Sequence, residues 1–220
     1  MQRRRVFVTG GTGYLGRPLI RELLARGHAV RALVRSASAA KLPAGAEPVA
    51  GDALGDFAAL IPPADTLVHL VGTPHPGPHK ARQFREVDLV SIRASVTAAK
   101  RVALHHLVYV SVAHPAPAMR AYVAVREEGE ALIAASGLSA TILRPWYVLG
   151  PGHRWPAVLQ PAYWITERLP WTREAARRLG LVSLAQMTAA LMLAVENPAA
   201  GVRFAGVPEI RDSAGQLQPA

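Results

Sequence analysis

Val6–Gly16 reads VFVTGGTGYLG. Val6, Phe7 and Val8 form a short apolar run that suits a strand buried on both faces. Gly10, Gly11, Gly13 and Gly16 then follow, and an apolar-periodic helix begins. A strand, a glycine turn and a helix N-terminus in that order make a pyrophosphate site. The glycines turn tightly and let a ligand come close to the backbone, while unpaired helix N–H groups and the helix dipole face its negative charge. The spacing is Gly10-x-x-Gly13-x-x-Gly16, not the commoner G-x-G-x-x-G. The competing reading is a bare structural turn; the place of the cluster between strand and helix favours nucleotide binding.

Outward from this stretch, strands and helices alternate. The first helix is expected at about 14–26, with Leu15, Leu19 and Leu23 on one face, Pro18 in its first turn and Gly27 closing it. Strands are expected at 28–34, 49–50, 66–71, 107–112 and 140–143, and long helices at 81–104 and 119–136. In the first of these, Val87, Val90, Ala94, Ala98 and Val102 mark the apolar face. Such alternation predicts an α/β fold, a Rossmann-type doubly wound parallel sheet with ligands at the C-terminal strand ends. Residues 1–145 are read as the nucleotide-binding core, 146–210 as a small substrate or cap lobe with late sheet elements, and 211–220 as a tail. A helix at 184–196 and a late strand at 202–207 complete the chain. Residues 146–180 hold Trp146, Tyr147, Trp155, Tyr163, Trp164 and Trp171, including all four tryptophans of the chain.

At 220 residues the chain suits a single domain with a proper core. It has no cysteine, which excludes disulfides, a thiolate nucleophile and a Cys-ligated metal site. No apolar run reaches the length of a membrane span and MQRRR is not a secretory signal, so the expectation is a cytoplasmic protein without an integral membrane segment. The net charge of +10 is carried mostly by dispersed arginines, with no nucleic-acid signature, and an anionic small ligand accounts for it without nucleic acid. Histidines 75, 79, 114 and 153 fall in loops over the crevice without metal-ligand spacing, so no metal is expected. His105 and His106 are placed at a helix end, where positive charge suits the dipole.

The order of motifs resembles the short-chain dehydrogenases/reductases of the extended or atypical kind, the NAD-dependent epimerase/dehydratase- and NmrA-like group. The resemblance rests on TGGTGYLG at 9–16, GD at 51–52, HLVG at 69–72, YVSV at 109–112, and Tyr122-x-x-x-Arg126-x-x-x-Glu130. SGLSATILRPWYVLGPG at 136–152 and GLVSLAQMTAAL at 180–191 extend it. It implies that Gly10, Thr12, Gly13, Tyr14, Leu15 and Gly16 hold the pyrophosphate, and that Asp52 and Ala53 contact the adenine. Val71, Gly72 and Thr73 would line the ribose and nicotinamide side, with Pro145 beside the nicotinamide. It also implies a small-molecule substrate and a homodimer paired through helices like 81–104 and 119–136. The competing reading of Asp52 is a plain Gly-Asp turn.

Arg35 bears on which cofactor is used. NAD sites place a carboxylate at the end of the second strand, whereas an arginine there suits the 2′-phosphate of NADP. No acidic residue stands nearby in ALVRSAS, so NADP is expected before NAD, against the reading of Arg35 as a solvated loop charge.

Members of the resembled group use a tyrosine as acid/base, a lysine one helical turn on, and a Ser or Thr at the reacting oxygen. The cation depresses the phenol pKa, ordinarily about 10. Here Tyr122 is the candidate acid/base, Arg126 the cation and Ser111 the hydroxyl. Arg126 keeps the charge but cannot relay protons, and the usual hydroxyl position holds Val112. Two functions therefore stand: an NAD(P)H-dependent oxidoreductase or epimerase-like enzyme on a small carbonyl-type or quinone substrate, and a non-catalytic NADP(H)-binding sensor or accessory subunit.

Overall fold

The computed structural model describes residues 2–116, 118–151 and 178–216. Trp155, Tyr163, Trp164, Trp171 and His153, and with them most of the expected cap, lie outside the described residues. Seven strands form one parallel sheet: β1 (Arg5–Thr9), β2 (Ala29–Val34), β3 (Glu47–Ala50), β4 (Thr66–His69), β5 (His106–Val110), β6 (Ala140–Leu143) and, late in the chain, β9 (Val202–Ala205). Their order across the sheet is β3-β2-β1-β4-β5-β6-β9. The doubly wound Rossmann-type fold expected from the alternation is the fold observed. Two short strands, β7 (Tyr147–Leu149) and β8 (Leu181–Ser183), pair as a separate parallel ribbon.

Each central strand feeds both faces, as its unbroken apolar sequence requires. Val6 and Val8 pack with Leu19 and Leu23 of α1 (Gly16–Ala25), with Met187 and Leu191 of α4 (Leu184–Glu196), and with Ile210 of α5 (Val207–Gln216). Phe7, between them in sequence, packs on the other face with Ile92 and Val96 of α2 (Val90–Arg101) and Ile133 of α3 (Arg120–Ser136). The stretch read as a tail from 211 is helical to Gln216, because Ile210 and Ser213 turn one side of α5 into the core.

The helix before β5 departs most from expectation. Its path runs from Ala81–Gln83 through a π-helical stretch, Phe84–Leu89, into α2. The wider turn shifts the buried face, so Val90 and Val102 are exposed while Asp88, Ser91 and Ser95 are wholly buried. Two serines can point inward because His69 meets them: its Nδ1 lies 2.8 Å from the Ser95 hydroxyl and 3.0 Å from that of Thr9, and its Nε2 3.4 Å from that of Ser91. A second correction concerns His106. It opens β5 and is buried beside Thr141 at 3.0 Å, so it is a core histidine and not a dipole-capping cation.

Candidate functional site: a cleft at the strand ends

After β3 the chain crosses back past β1 to β4, and the ends of these neighbouring strands diverge into a cleft of about 490 Å³. Such a switch point is where doubly wound sheets take their ligands. Gly10, Thr12 and Gly13 from the glycine turn, Arg35 after β2, Asp52 and Ala53 after β3, and Val71 and Gly72 after β4 all line it. Gly10 has φ +77°, and a Cβ there would stand 2.6 Å from the Leu70 backbone, so only glycine lets the turn pass under β4.

The remaining expected cofactor residues stand outside the lining. Gly16 begins α1 and Leu15 precedes it as the helix cap. The Tyr14 side chain turns toward the β7 ribbon, its hydroxyl against Gly150, and burial followed by the neighbouring Tyr147 raises its phenol above the ordinary value. Pro145 is buried, and its carbonyl accepts from the Ala113 N–H at 2.9 Å. Thr73 is buried too, its hydroxyl donating to Asp88 Oδ2 at 2.5 Å.

Arg35 is exposed at the start of a 3₁₀ turn, Ser36–Lys41, and no carboxylate among the described residues pairs with it. Ser38, three residues on, lines the same end of the cleft. Asp52 lines the cleft while its carboxylate accepts from the Leu54 N–H at 3.0 Å, so the turn reading and the cleft position hold together. Ser38, Gln83 and Val87 were missed from sequence; a hydroxyl one 3₁₀ turn after Arg35 was the available signal for the first.

The candidate catalytic residues form a layer behind the cleft. Tyr122 sits half-buried in the first turn of α3, its ring 5.0 Å from that of Phe84. Arg126 lies one turn on, and its guanidinium carbon stands 4.9 Å from the Tyr122 ring centroid, a contact with the ring face. The guanidinium donates to Asp88 Oδ1 at 2.5 Å, the Val110 carbonyl at 3.1 Å and the Tyr109 hydroxyl at 3.4 Å. Burial opposes the Arg126 charge, but Tyr122, Tyr109 and Asp88 together hold its pKa above the ordinary arginine value.

Ser111 and Val112 both follow the end of β5 and both are buried. The Ser111 hydroxyl has no partner at hydrogen-bond geometry among the described residues, yet it lies near enough to Glu130 to favour that carboxylate's charge. Burial disfavours the Glu130 charge, but Arg144, which clasps it with Nε at 3.0 Å and with Nη2, together with Ser111 and His114 outweighs that and holds its pKa below the usual carboxylate range. His114 bridges Glu127 at 3.1 Å and Glu130 at 3.3 Å, tying the loop after β5 onto α3. His75 and His79 stand exposed on the loop after β4.

A protein-family model described as NAD(P)H-binding matches residues 10–156. The chain belongs to this NAD(P)H-binding family. The resemblance to short-chain dehydrogenases/reductases read from the motifs is borne out. Among curated relatives, ceramide reductase of Caulobacter vibrioides is 32% identical over 203 residues, 89% of this chain and 58% of that protein. A 4-hydroxy-2-methyl-3-oxo-4-farnesyl-3,4-dihydroquinoline-1-oxide ketoreductase of Stigmatella aurantiaca is 31% identical over 66% of this chain and 51% of its own length. The chain thus spans about half the length of the curated relatives it matches. The enzyme WbmH of Bordetella bronchiseptica, solved with NAD+, superposes with a TM-score of 0.68 at 20% identity, over 96% of this chain and 80% of that one. That likeness establishes the fold alone.

Proposed function

We propose that the cleft binds NADP(H) and that the chain is an oxidoreductase, or epimerase-like enzyme, acting on a small carbonyl-type or quinone substrate. The observation that carries this reading is Arg35: an exposed guanidinium without an acidic partner among the described residues, beside Ser38, at the end of a cleft floored by the glycine turn. A fork of N–H donors matches a phosphate bidentately, and Ser38 adds a hydroxyl. The missing Cβ at Gly10 and the cleft volume fit a dinucleotide drawn across the strand ends. The bound nicotinamide would supply or accept hydride. Thr12 and Gly13 would hold the pyrophosphate, with Tyr14, Leu15 and Gly16 serving it through the backbone of the helix N-terminus. Asp52 and Ala53 would flank the adenine, and Val71 to Thr73 with Pro145 the nicotinamide side. Tyr122 would exchange the proton, with Arg126 as the cation beside it and Ser111, just after β5, as the hydroxyl.

The names of the two curated reductases support the enzyme reading. Residues 146–210 are read as a small substrate or cap lobe with late sheet elements, and a homodimer through the faces of α2 and α3 accords with the family resemblance. A second reading, a non-catalytic NADP(H) sensor or accessory subunit, is favoured by two observations: Arg126 is committed to Asp88, and Val112 is apolar where a hydroxyl is expected.

Calorimetric titration with NADPH and NADH tests the cofactor. NADPH should bind at least about tenfold tighter, a margin of about 1.4 kcal/mol that Arg35→Ala abolishes. Equal affinities, or a variant that keeps the preference, would overturn the assignment. Turnover of NADPH with carbonyl or quinone acceptors then separates enzyme from sensor.

A further inference from the structure

Asp88 lies on the π-helical stretch Phe84–Leu89 with no exposed surface. Burying a carboxylate is costly, and an apolar side chain would fill the same space more cheaply if packing were its only task. Single π-helical turns within α-helices recur at functional sites. The two oxygens of Asp88 serve two different elements. Oδ1 accepts from Arg126 Nη2 on α3 at 2.5 Å. Oδ2 accepts from the Thr73 N–H at 3.0 Å and from its hydroxyl at 2.5 Å.

Gly72 rests directly on this pair. A Cβ at that position would meet Arg126 Nη2 at 2.7 Å and Asp88 Oδ1 at 3.2 Å. Val71, Gly72 and Pro74 line the cleft, whereas the Thr73 side chain between them turns back to Asp88. We infer that Asp88 is a positioning residue of the cleft: it clamps Thr73 to Arg126 and so fixes the Val71–Pro74 wall against the helix that carries Tyr122. The inference rests on reading the cleft as the NADP(H) site, with this wall on the nicotinamide side.

Asp88→Asn is the discriminating change. The amide has nearly the same shape but one acceptor oxygen, so one of its two ends must face a donor with a donor. The measurements are calorimetric affinities for NADPH and for 2′,5′-ADP, which lacks the nicotinamide half, alongside thermal melts. D88N should weaken NADPH about tenfold and leave 2′,5′-ADP near its original affinity, as loss of one buried hydrogen-bonded partner implies. Thr73→Val removes only the hydroxyl and should weaken NADPH less, and the double variant no more than D88N alone. A folded D88N that binds NADPH like the parent overturns the inference. So does an equal loss of both ligands, the mark of general loosening, or a double variant whose losses multiply. Should D88N fail to fold, Thr73→Val decides: unchanged NADPH affinity overturns the clamp, and selective loss supports it. A parent protein that binds neither ligand sinks the cofactor reading itself, and that result shows before any variant is made.

Discussion

Arg126 carries the sharpest consequence at the scale of a single residue. Its guanidinium is as buried as a core leucine and is balanced by one carboxylate, two oxygen acceptors and two aromatic faces. Removing one partner of a buried pair leaves the other charge without compensation, at a cost of about 3–5 kcal/mol. Arg126→Leu should therefore lower the melting temperature by about ten degrees, taking about 2–4 °C per kcal/mol for a chain of this size. Arg126→Lys keeps the charge, loses the planar fork and should fall in between. A leucine variant as stable as the parent would show that the pair contributes nothing net. The same contacts explain why a lysine-like duty does not pass unchanged to this arginine: its Nη donors are directed at Asp88, Tyr109 and Val110, and the cation meets Tyr122 over the ring.

Among the elements, α4 shows the most complete local agreement between residue type and position. Ser183 accepts from the Gln186 N–H at 3.1 Å, and the Gln186 side chain accepts from the Ser183 N–H at 2.8 Å, closing a capping box. Ser183→Ala should cost about 1 kcal/mol of stability and leave NADPH affinity intact, read from denaturant titration beside calorimetry. That agreement is why α4 was legible from sequence to its terminal residues; β6 was equally so, whereas α1 begins two residues later than its expected start at 14. The π-helical stretch was not legible, because its extra residue per turn defeats a periodicity argument. Once the buried face shifts, Ser91 and Ser95 face inward to His69, a partner on β4. The site divides in the same way. Glycines and strand ends announce the cleft, since backbone geometry demands them. Asp88 sits among Val87 and Leu89 like an ordinary helix carboxylate, and only the approach of Thr73 and Arg126 gives it a role.

On the scale of the whole molecule, the core holds histidines that must stay neutral. Burial, with a smaller push from Arg126, drives the His69 pKa down to about 3, and burial with Arg203 and Arg4 drives His106 to about 4. In the unfolded chain both take up protons near 6.5, while the folded state refuses them until pH 3–4. The unfolded state thus binds more protons between those limits. Stability is full above about pH 6.5 and falls progressively as pH drops toward 3–4, each histidine losing up to about 1.4 kcal/mol per pH unit. Denaturant midpoints between pH 7 and 4 should record this fall, and His106→Asn should flatten it. A flat profile in the parent would mean these rings protonate without unfolding.

Among the described residues the sheet ends on β9, where Phe204 is 47% exposed with the Arg144 guanidinium 4.1 Å above its ring. An open edge of unpaired N–H and C=O groups is a template on which another strand can grow. Here the guard against such growth is Coulombic, since the chain carries a net charge of +10 and β9 itself bears Arg203. Repulsion of that kind reaches only about 8 Å at physiological ionic strength and about 3 Å in molar salt. The protein should accordingly behave as a charge-stabilised colloid. Light scattering should stay low in dilute buffer and climb as salt is added, and Phe204→Lys should postpone that rise.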